Sequence, residues 1–220
     1  MRKEDFCAVI FDMDGVLIDT ERMISDCWRQ IAAEEQLPDV ETAIEACIGL
    51  NHADTKAYLD DKYGERFQYE AFSARSSILF KEMISREGLP LKSGVRELLQ
   101  YLKEERIPIG LASSSRYETV CREMKELQLY DYFWKIIGGN MVEHSKPNPE
   151  IYSRACELMG QAPKDCIAIE DSPNGIRAAS AAGMKPVMVP DLIQPTEEIE
   201  GLLFCRYNNL KELLTDLQKN

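Results

Sequence analysis

Two aspartates, Asp12 and Asp14, follow the short apolar run Ala8–Phe11 within the stretch CAVIFDMDGVLIDTE. On an extended backbone, residues i and i+2 point the same way, so the pair would present two carboxylates to one place. Ligands of open α/β sheets sit beyond the carboxyl ends of the strands, which is where this pair falls. Two blander readings compete. Asp and Gly together often mark a turn. A calcium loop is the other, but the EF-hand glycine falls at loop position six and Gly15 comes at four.

Three further stretches have the same shape, an apolar run that ends in polar groups. GLASSSR, at 110–116, delivers the hydroxyls of Ser113, Ser114 and Ser115 just before a helical pattern. Hydroxyls and free N–H groups at a helix start form an anion site. Simple N-capping by serine is the alternative. HSKPNPE, at 144–150, holds Lys146 on a short loop, because Pro147 biases it away from helical geometry. A lysine there meets a phosphate, neutralises carboxylates, or is a solvated surface charge; His144 beside it reads as a polar loop residue. CIAIEDSPNG, at 166–175, brings Glu170 and Asp171 to a strand end, with Ser172 placed to cap the helix that Pro173 begins. Acids before a helix can also simply favour the dipole.

Taken together, the four stretches supply two acids, a hydroxyl cluster, a lysine and two more acids. Phosphoryl transfer is the chemistry that needs this set. A cluster of oxygen ligands selects Mg²⁺ over zinc. The cation offsets repulsion between a carboxylate nucleophile and a phosphate, and lysine and hydroxyl donors hold the remaining charge.

These groups must be positioned by regular elements. Strands are predicted at Ala8–Phe11, Ile107–Ala112, Lys135–Ile137, Cys166–Ile169 and Pro186–Val189, as apolar runs suited to strands covered on both faces. Helical spacing lies between them, at Val95, Leu98, Leu99 and Leu102, at Val120, Met124 and Leu127, after Pro149, and from Pro173 to a stop at Gly183. The alternation predicts an α/β fold with a parallel sheet. From Glu21 to about Gly88 the alternation fails. ISDCWRQIAAEEQ, VETAIEAC, HADTKAYLDDKYG and FQYEAFSARSSILFKEMISREG read as four helices, and EGLPLKSGV as a hinge. The expected organisation is a core formed by 1–18 and 91–220, with a small all-helical domain, 19–90, inserted after the first strand.

Composition removes other classes. The chain has 220 residues, 45% of them hydrophobic, and a net charge of −12. No basic stripe suggests nucleic acid, and no apolar run approaches a membrane span or a signal-peptide core. The seven cysteines are scattered without C-x-x-C spacing, which argues against a disulfide framework and a zinc site. The expectation is a cytoplasmic protein, monomeric, with no membrane or nucleic-acid partner.

DMDGVLIDTE, the serine of LASSS, the lysine of SKPNPE and IEDSPNG together resemble the four motifs of the haloacid dehalogenase superfamily, in the branch of phosphatases and phosphomutases similar to β-phosphoglucomutase. The resemblance covers nearly the whole chain. It implies a Rossmann-like parallel sheet with helices on both faces and a helical cap that sets substrate selectivity. By position, it implies that Asp12 attacks phosphorus and becomes an aspartyl-phosphate. Asp14 would protonate the leaving oxygen and then activate water. Mg²⁺ would be held by Asp12, Asp171 and the Asp14 carbonyl, with Glu170 a ligand or one layer behind. Ser113, with Ser114 beside it, and Lys146 would hold the phosphoryl oxygens.

The resemblance implies two activities and the cap must choose. Related mutases carry a histidine ten residues after the second aspartate, where this chain has Ile24. Their cap arginine falls in IGLNHADT, which offers His52, and their cap lysine corresponds by spacing to Arg75. Arg22, His52, Lys56 and Arg75 are the candidate cap contacts, each with a solvated helix face as the alternative. The departures favour hydrolysis of a small phosphorylated metabolite, a sugar phosphate or nucleoside monophosphate. The other activity is interconversion of β-glucose 1-phosphate and glucose 6-phosphate. A phospho-ligand-binding protein with an idle core is a third, non-enzymatic reading, against which the presence of both Asp12 and Asp14 argues.

Overall fold

The computed structural model describes residues 1–47, 52–64 and 67–219. It divides into two compact units, Met1–Ile18 with Leu91–Asn220, and Asp19–Pro90. The first is built on a parallel sheet of six strands, β1 (Ala8–Phe11), β2 (Ile109–Ser113), β3 (Lys135–Gly138), β4 (Cys166–Glu170), β5 (Lys185–Met188) and β6 (Cys205–Arg206), in the order β3-β2-β1-β4-β5-β6. The strand order reverses beside β1, so β1 sits centrally between β2 and β4. All four of its residues are fully buried, which is why it reads as an unbroken apolar run rather than an alternating one.

The second unit contains the helices α1 (Thr20–Glu35), α2 (Val40–Cys47), α3 (His52–Tyr63) and α4 (Tyr69–Glu87). It has its own core, in which Ile31, Ala43, Cys47, Leu59, Tyr69 and Phe72 pack together with Trp28 and Phe67 against them. The chain leaves the sheet unit at Ile18 and re-enters it at Leu91, and those two residues pair antiparallel.

The remaining helices, α5 (Val95–Glu104), α6 (Tyr117–Glu126), α7 (Glu150–Met159), α8 (Pro173–Ala181), α9 (Glu197–Glu200) and α10 (Leu210–Lys219), belong to the sheet unit. Ala8 and Ile10 point to one face, where they pack with Tyr152, Ala155 and Met159 of α7 and Ala178 and Ala179 of α8. Val9 and Phe11 alternate to the other face and are equally buried, so both faces of the sheet are covered. α5 packs on β2, and α10 on α5.

Two differences from expectation are informative. β2 starts two residues later than predicted and runs on to Ser113, because Arg106, in the left-handed region, turns the chain before Pro108. β6, α9 and α10 were not anticipated. For α10 the signal was present, since Leu210, Leu213, Leu214 and Leu217 follow helical spacing and three of them are buried. β6 is two residues long and has no periodicity to detect.

No helix among the described residues is long and apolar enough to cross a membrane.

Candidate active site

The carboxyl ends of β1, β2 and β4 and the loop before α7 converge on one cluster. The β1 ladder runs one residue past the strand, because the Asp12 N–H donates to the Ile169 carbonyl at 2.9 Å. Asp12 is thereby fixed beside the end of β4, which carries Glu170 and Asp171. A tight turn follows. The Gly15 N–H donates to the Ile18 carbonyl at 2.9 Å, and the N–H of Leu17 to the Met13 carbonyl at 2.8 Å. Gly15 has φ +79°, and a Cβ there would lie 2.6 Å from the carboxyl carbon of Asp171. Only glycine permits both the turn and the approach of Asp171 to it.

Lys146 occupies the centre. Its Nζ donates to Asp12 Oδ1 at 2.5 Å, to Glu170 Oε1 at 2.6 Å and to the Ala112 carbonyl at 3.2 Å. Three donors meet three acceptors, and the lysine side chain is only 7% exposed. The loop that carries it is stapled by Glu150, whose carboxylate accepts the N–H groups of Glu143 and His144 at 2.9 Å each. Those bonds hold the Glu150 carboxyl below its usual range. His144 lies with its ring Nδ1 3.1 Å from the same carboxylate, and so serves the loop.

Glu170 is wholly buried and engaged on both oxygens. Oε1 accepts Lys146 and the Tyr152 hydroxyl, the latter at 2.8 Å. Oε2 accepts the N–H groups of Asp171 and Ser172, at 3.2 and 3.3 Å, and the Ser172 hydroxyl at 3.1 Å. A Cβ on Gly175 would collide with this carboxylate, so α8 reaches it only because glycine stands there.

The electrostatics follow from burial. Burial pushes the Asp12 carboxyl well up, the Lys146 ammonium opposes that, and the charges of Glu170 and Asp14 add to it. Burial pulls the Lys146 ammonium down, but the charges of Asp12 and Glu170 outweigh it and hold it well above its ordinary value. Burial first, then Glu170, pushes the Tyr152 hydroxyl well up, so it remains a proton donor.

Asp12, Glu170 and Asp171 each place an oxygen within 4.8 Å of the others. Three carboxyl groups face one ammonium, and a divalent cation among them would favour their ionised forms. All three donors are hard oxygens, which suits Mg²⁺. Asp12 and Asp171 fit as carboxylate ligands better than Glu170, whose oxygens already accept five bonds from the chain.

Asp14 stands in a different setting from Asp12. It is half-buried, and its Oδ2 accepts the Ser115 hydroxyl at 3.2 Å. Ser113 is fully buried at the end of β2, and its Oγ accepts the Ser115 N–H at 3.0 Å. Ser114, expected beside Ser113, is exposed. None of the three caps α6. Its first N–H, at Tyr117, donates instead to Asn140 Oδ1 at 2.8 Å.

The helical unit's candidates are distributed over its surface. Arg75 is paired with both Glu34 and Glu35. Lys56 is paired with Asp60 at 3.1 Å and Glu70 at 3.6 Å, and Arg22 with Asp19 at 3.5 Å. The ring of His52 packs edge-on against Tyr69. All three cations are part-exposed and ion-paired within the helical unit. The neighbouring residues 48–51 lie outside the described residues.

Sequence reasoning missed Tyr152 and, of the three serines it named, did not single out Ser115 as the partner of Asp14. Ser115 is indistinguishable from Ser114 by type, and only the path of the loop separates them. Tyr152 shares the buried face of α7 with Ile151, Ala155, Cys156 and Met159. A tyrosine on such a face needs a partner for its hydroxyl, and that is the signal that could have found it.

Comparison with known proteins agrees with this geometry. The profile of the haloacid dehalogenase-like hydrolases matches residues 9–189. A phosphorylated carbohydrates phosphatase of Thermotoga maritima is 33% identical over 82% of this chain and 83% of its own. A β-phosphoglucomutase of Bacillus subtilis is 32% identical over 83% of this chain and 82% of its own. A crystal structure of a haloacid dehalogenase family hydrolase from Deinococcus radiodurans, with bound phosphate and sodium, superposes with a TM-score of 0.80 at 26% identity, covering 99% of this chain and 97% of that one. Sheet order, acid cluster and family profile coincide on the same strand ends, and the chain belongs to the haloacid dehalogenase-like hydrolase family.

Proposed function

We propose that this chain is a Mg²⁺-dependent phosphatase of small phosphorylated metabolites, sugar phosphates or nucleoside monophosphates, working through an aspartyl-phosphate on Asp12. The observation that carries the reading is the Asp12 carboxylate, buried at a strand end with Lys146 at 2.5 Å and Asp171 and Glu170 beside it. Mg²⁺, when bound by Asp12, Asp171 and the Asp14 carbonyl, supplies positive charge that favours ionised Asp12 and screens its repulsion from phosphate.

The chain's own residues perform the remaining work. Asp12 Oδ attacks phosphorus, and the phosphoryl group moves from the ester oxygen to the carboxylate. Asp14 gives its proton to the leaving oxygen, with Ser115 orienting the carboxyl. Asp14 then takes a proton from the water that attacks the aspartyl-phosphate, and orthophosphate leaves with Asp12 restored. The Lys146 ammonium, whose N–H groups are held by Asp12, Glu170 and the Ala112 carbonyl, supplies positive charge beside the phosphoryl oxygens, and the Ser113 hydroxyl donates to them. Glu170 holds Lys146.

Phosphomutase activity, the activity of the Bacillus relative, is the second reading and uses the same core. It requires a dependable cation for a second phosphate. Arg75 and Lys56 are 40% and 42% exposed, so water screens their charge, and they make weaker anchors than a buried cation. The deciding experiment is a phosphate-release screen over sugar phosphates and nucleoside monophosphates with Mg²⁺ and after chelation, beside an assay converting β-glucose 1-phosphate to glucose 6-phosphate. Mg²⁺-dependent phosphate release is expected. Isomer conversion with negligible release would establish the mutase, and silence in both assays would defeat the enzymatic reading.

A further inference from the structure

Tyr152 has no exposed surface and lies in the first turn of α7, away from every motif aspartate in sequence. Two of its features converge on one ammonium. Its hydroxyl donates to Glu170 Oε1 at 2.8 Å, the same oxygen that accepts Lys146 at 2.6 Å. The face of its ring lies 4.9 Å from Lys146 Nζ, within the range of a cation–π contact. The ring belongs to the buried apolar cluster of that sheet face, with Ala155, Met159 and Ala168.

We infer that Tyr152 is a positioning residue for phosphoryl transfer, fixing Lys146 between Asp12 and Glu170. This inference rests on the function proposed above. The physical reason lies in how the bonds are shared. Lys146 has three donors, and only one is directed at the nucleophile. Glu170 Oε2 is anchored by the Asp171 and Ser172 groups, whereas Oε1 accepts from Lys146 and Tyr152 among the described residues. The hydroxyl shares the negative charge of Oε1 and fixes the rotation of that carboxylate. Without it, Oε1 draws on Lys146 alone and the ammonium shifts from Asp12 toward Glu170. Displacements of well under an ångström matter in a site of this kind. Phenylalanine would keep the ring beneath the ammonium and lose the control of Oε1.

The test uses the full chain with Tyr152→Phe and Tyr152→Leu. The first measurement needs no substrate. The Lys146 ammonium resonance, assigned by its loss in Lys146→Ala, is followed by ¹⁵N NMR in lysine-labelled protein. Slow proton exchange is expected in the native chain and at least a several-fold faster exchange in Tyr152→Phe. The second measurement is steady-state hydrolysis of a monoester with Mg²⁺. For Tyr152→Phe, kcat should fall roughly 10- to 100-fold with KM nearly unchanged, and Tyr152→Leu should fall further. A mere packing role would lower the melting temperature and leave kcat of the folded fraction intact. Native-like kcat in Tyr152→Phe, or unaltered ammonium exchange, overturns the inference. If that variant does not fold, rapid exchange at Lys146 in the native chain overturns it as well. A native chain that hydrolyses no ester refutes the proposed function instead, and the ammonium measurement still decides whether Tyr152 holds Lys146.

Discussion

Two cation–carboxylate clusters, one in each unit, sit in opposite surroundings. In the sheet unit, Lys146 is 7% exposed and touches two carboxylates that are themselves buried. In the helical unit, Arg75 is 40% exposed and its two glutamate partners about equally so. The chemical pairing is the same, but the surroundings are not. An exposed pair is screened by water and contributes about 0–1 kcal/mol. Breaking a buried pair leaves an uncompensated charge and costs about 3–5 kcal/mol. Burial also makes each charge effective on a reacting phosphate, because little solvent intervenes. The comparison separates charges that perform chemistry from charges that keep a helix in water.

Substitutions can break that comparison or sharpen it. The largest effect is expected from Asp12→Asn, which removes the nucleophile. Its kcat should fall by on the order of 10⁴-fold or more, and no phosphorylated protein should be trapped on acid quench. Asp14→Asn should slow both formation and breakdown of the intermediate by about 10²–10⁴-fold, as read by single-turnover kinetics. Normal turnover in that variant would remove Asp14 from proton transfer.

Lys146→Ala should cost about 3–4 kcal/mol of transition-state stabilisation, measured as kcat/KM. It should also lower unfolding free energy in urea, since Asp12 and Glu170 lose their common cation. An unaffected rate would place Lys146 in the same class as the surface cations. The smallest effect belongs to Arg75→Ala. Its unfolding free energy should change by less than about 1 kcal/mol, and kcat/KM by less than about twofold. A tenfold loss of kcat/KM there would show that the helical unit also carries a working cation, and the contrast between the units would fail.

Much of this was legible from local pattern. β1 and β3–β5 fell within a residue of their predicted ends, because each is a short apolar run between turn residues. The four helices of the insert were readable from composition and from the absence of β-like runs. The loop that carries Lys146 was recognisable from Pro147, and the start of α8 from Ser172 and Pro173, because these signals act within a residue or two. Which serine faces Asp14 was not legible, nor was the full occupancy of Glu170, nor the pairing of Arg75 with Glu34 and Glu35. Each depends on a neighbour that the sequence does not place nearby.

The sequence by itself determined that acids, hydroxyls and a lysine stand at the ends of apolar strands, since strand length, turn chemistry and side-chain type are local properties of the chain. Tertiary structure alone decided who meets whom. Lys146 and Asp12 lie 134 positions apart and touch because β1 pairs with both β2 and β4 at the centre of a parallel sheet. Tyr152 meets Glu170 because α7 packs its apolar face on that sheet, carrying one hydroxyl into a place without water. Burial of that kind is a property of the assembled layers, and it sets both the strength of the charges and the partners they must find.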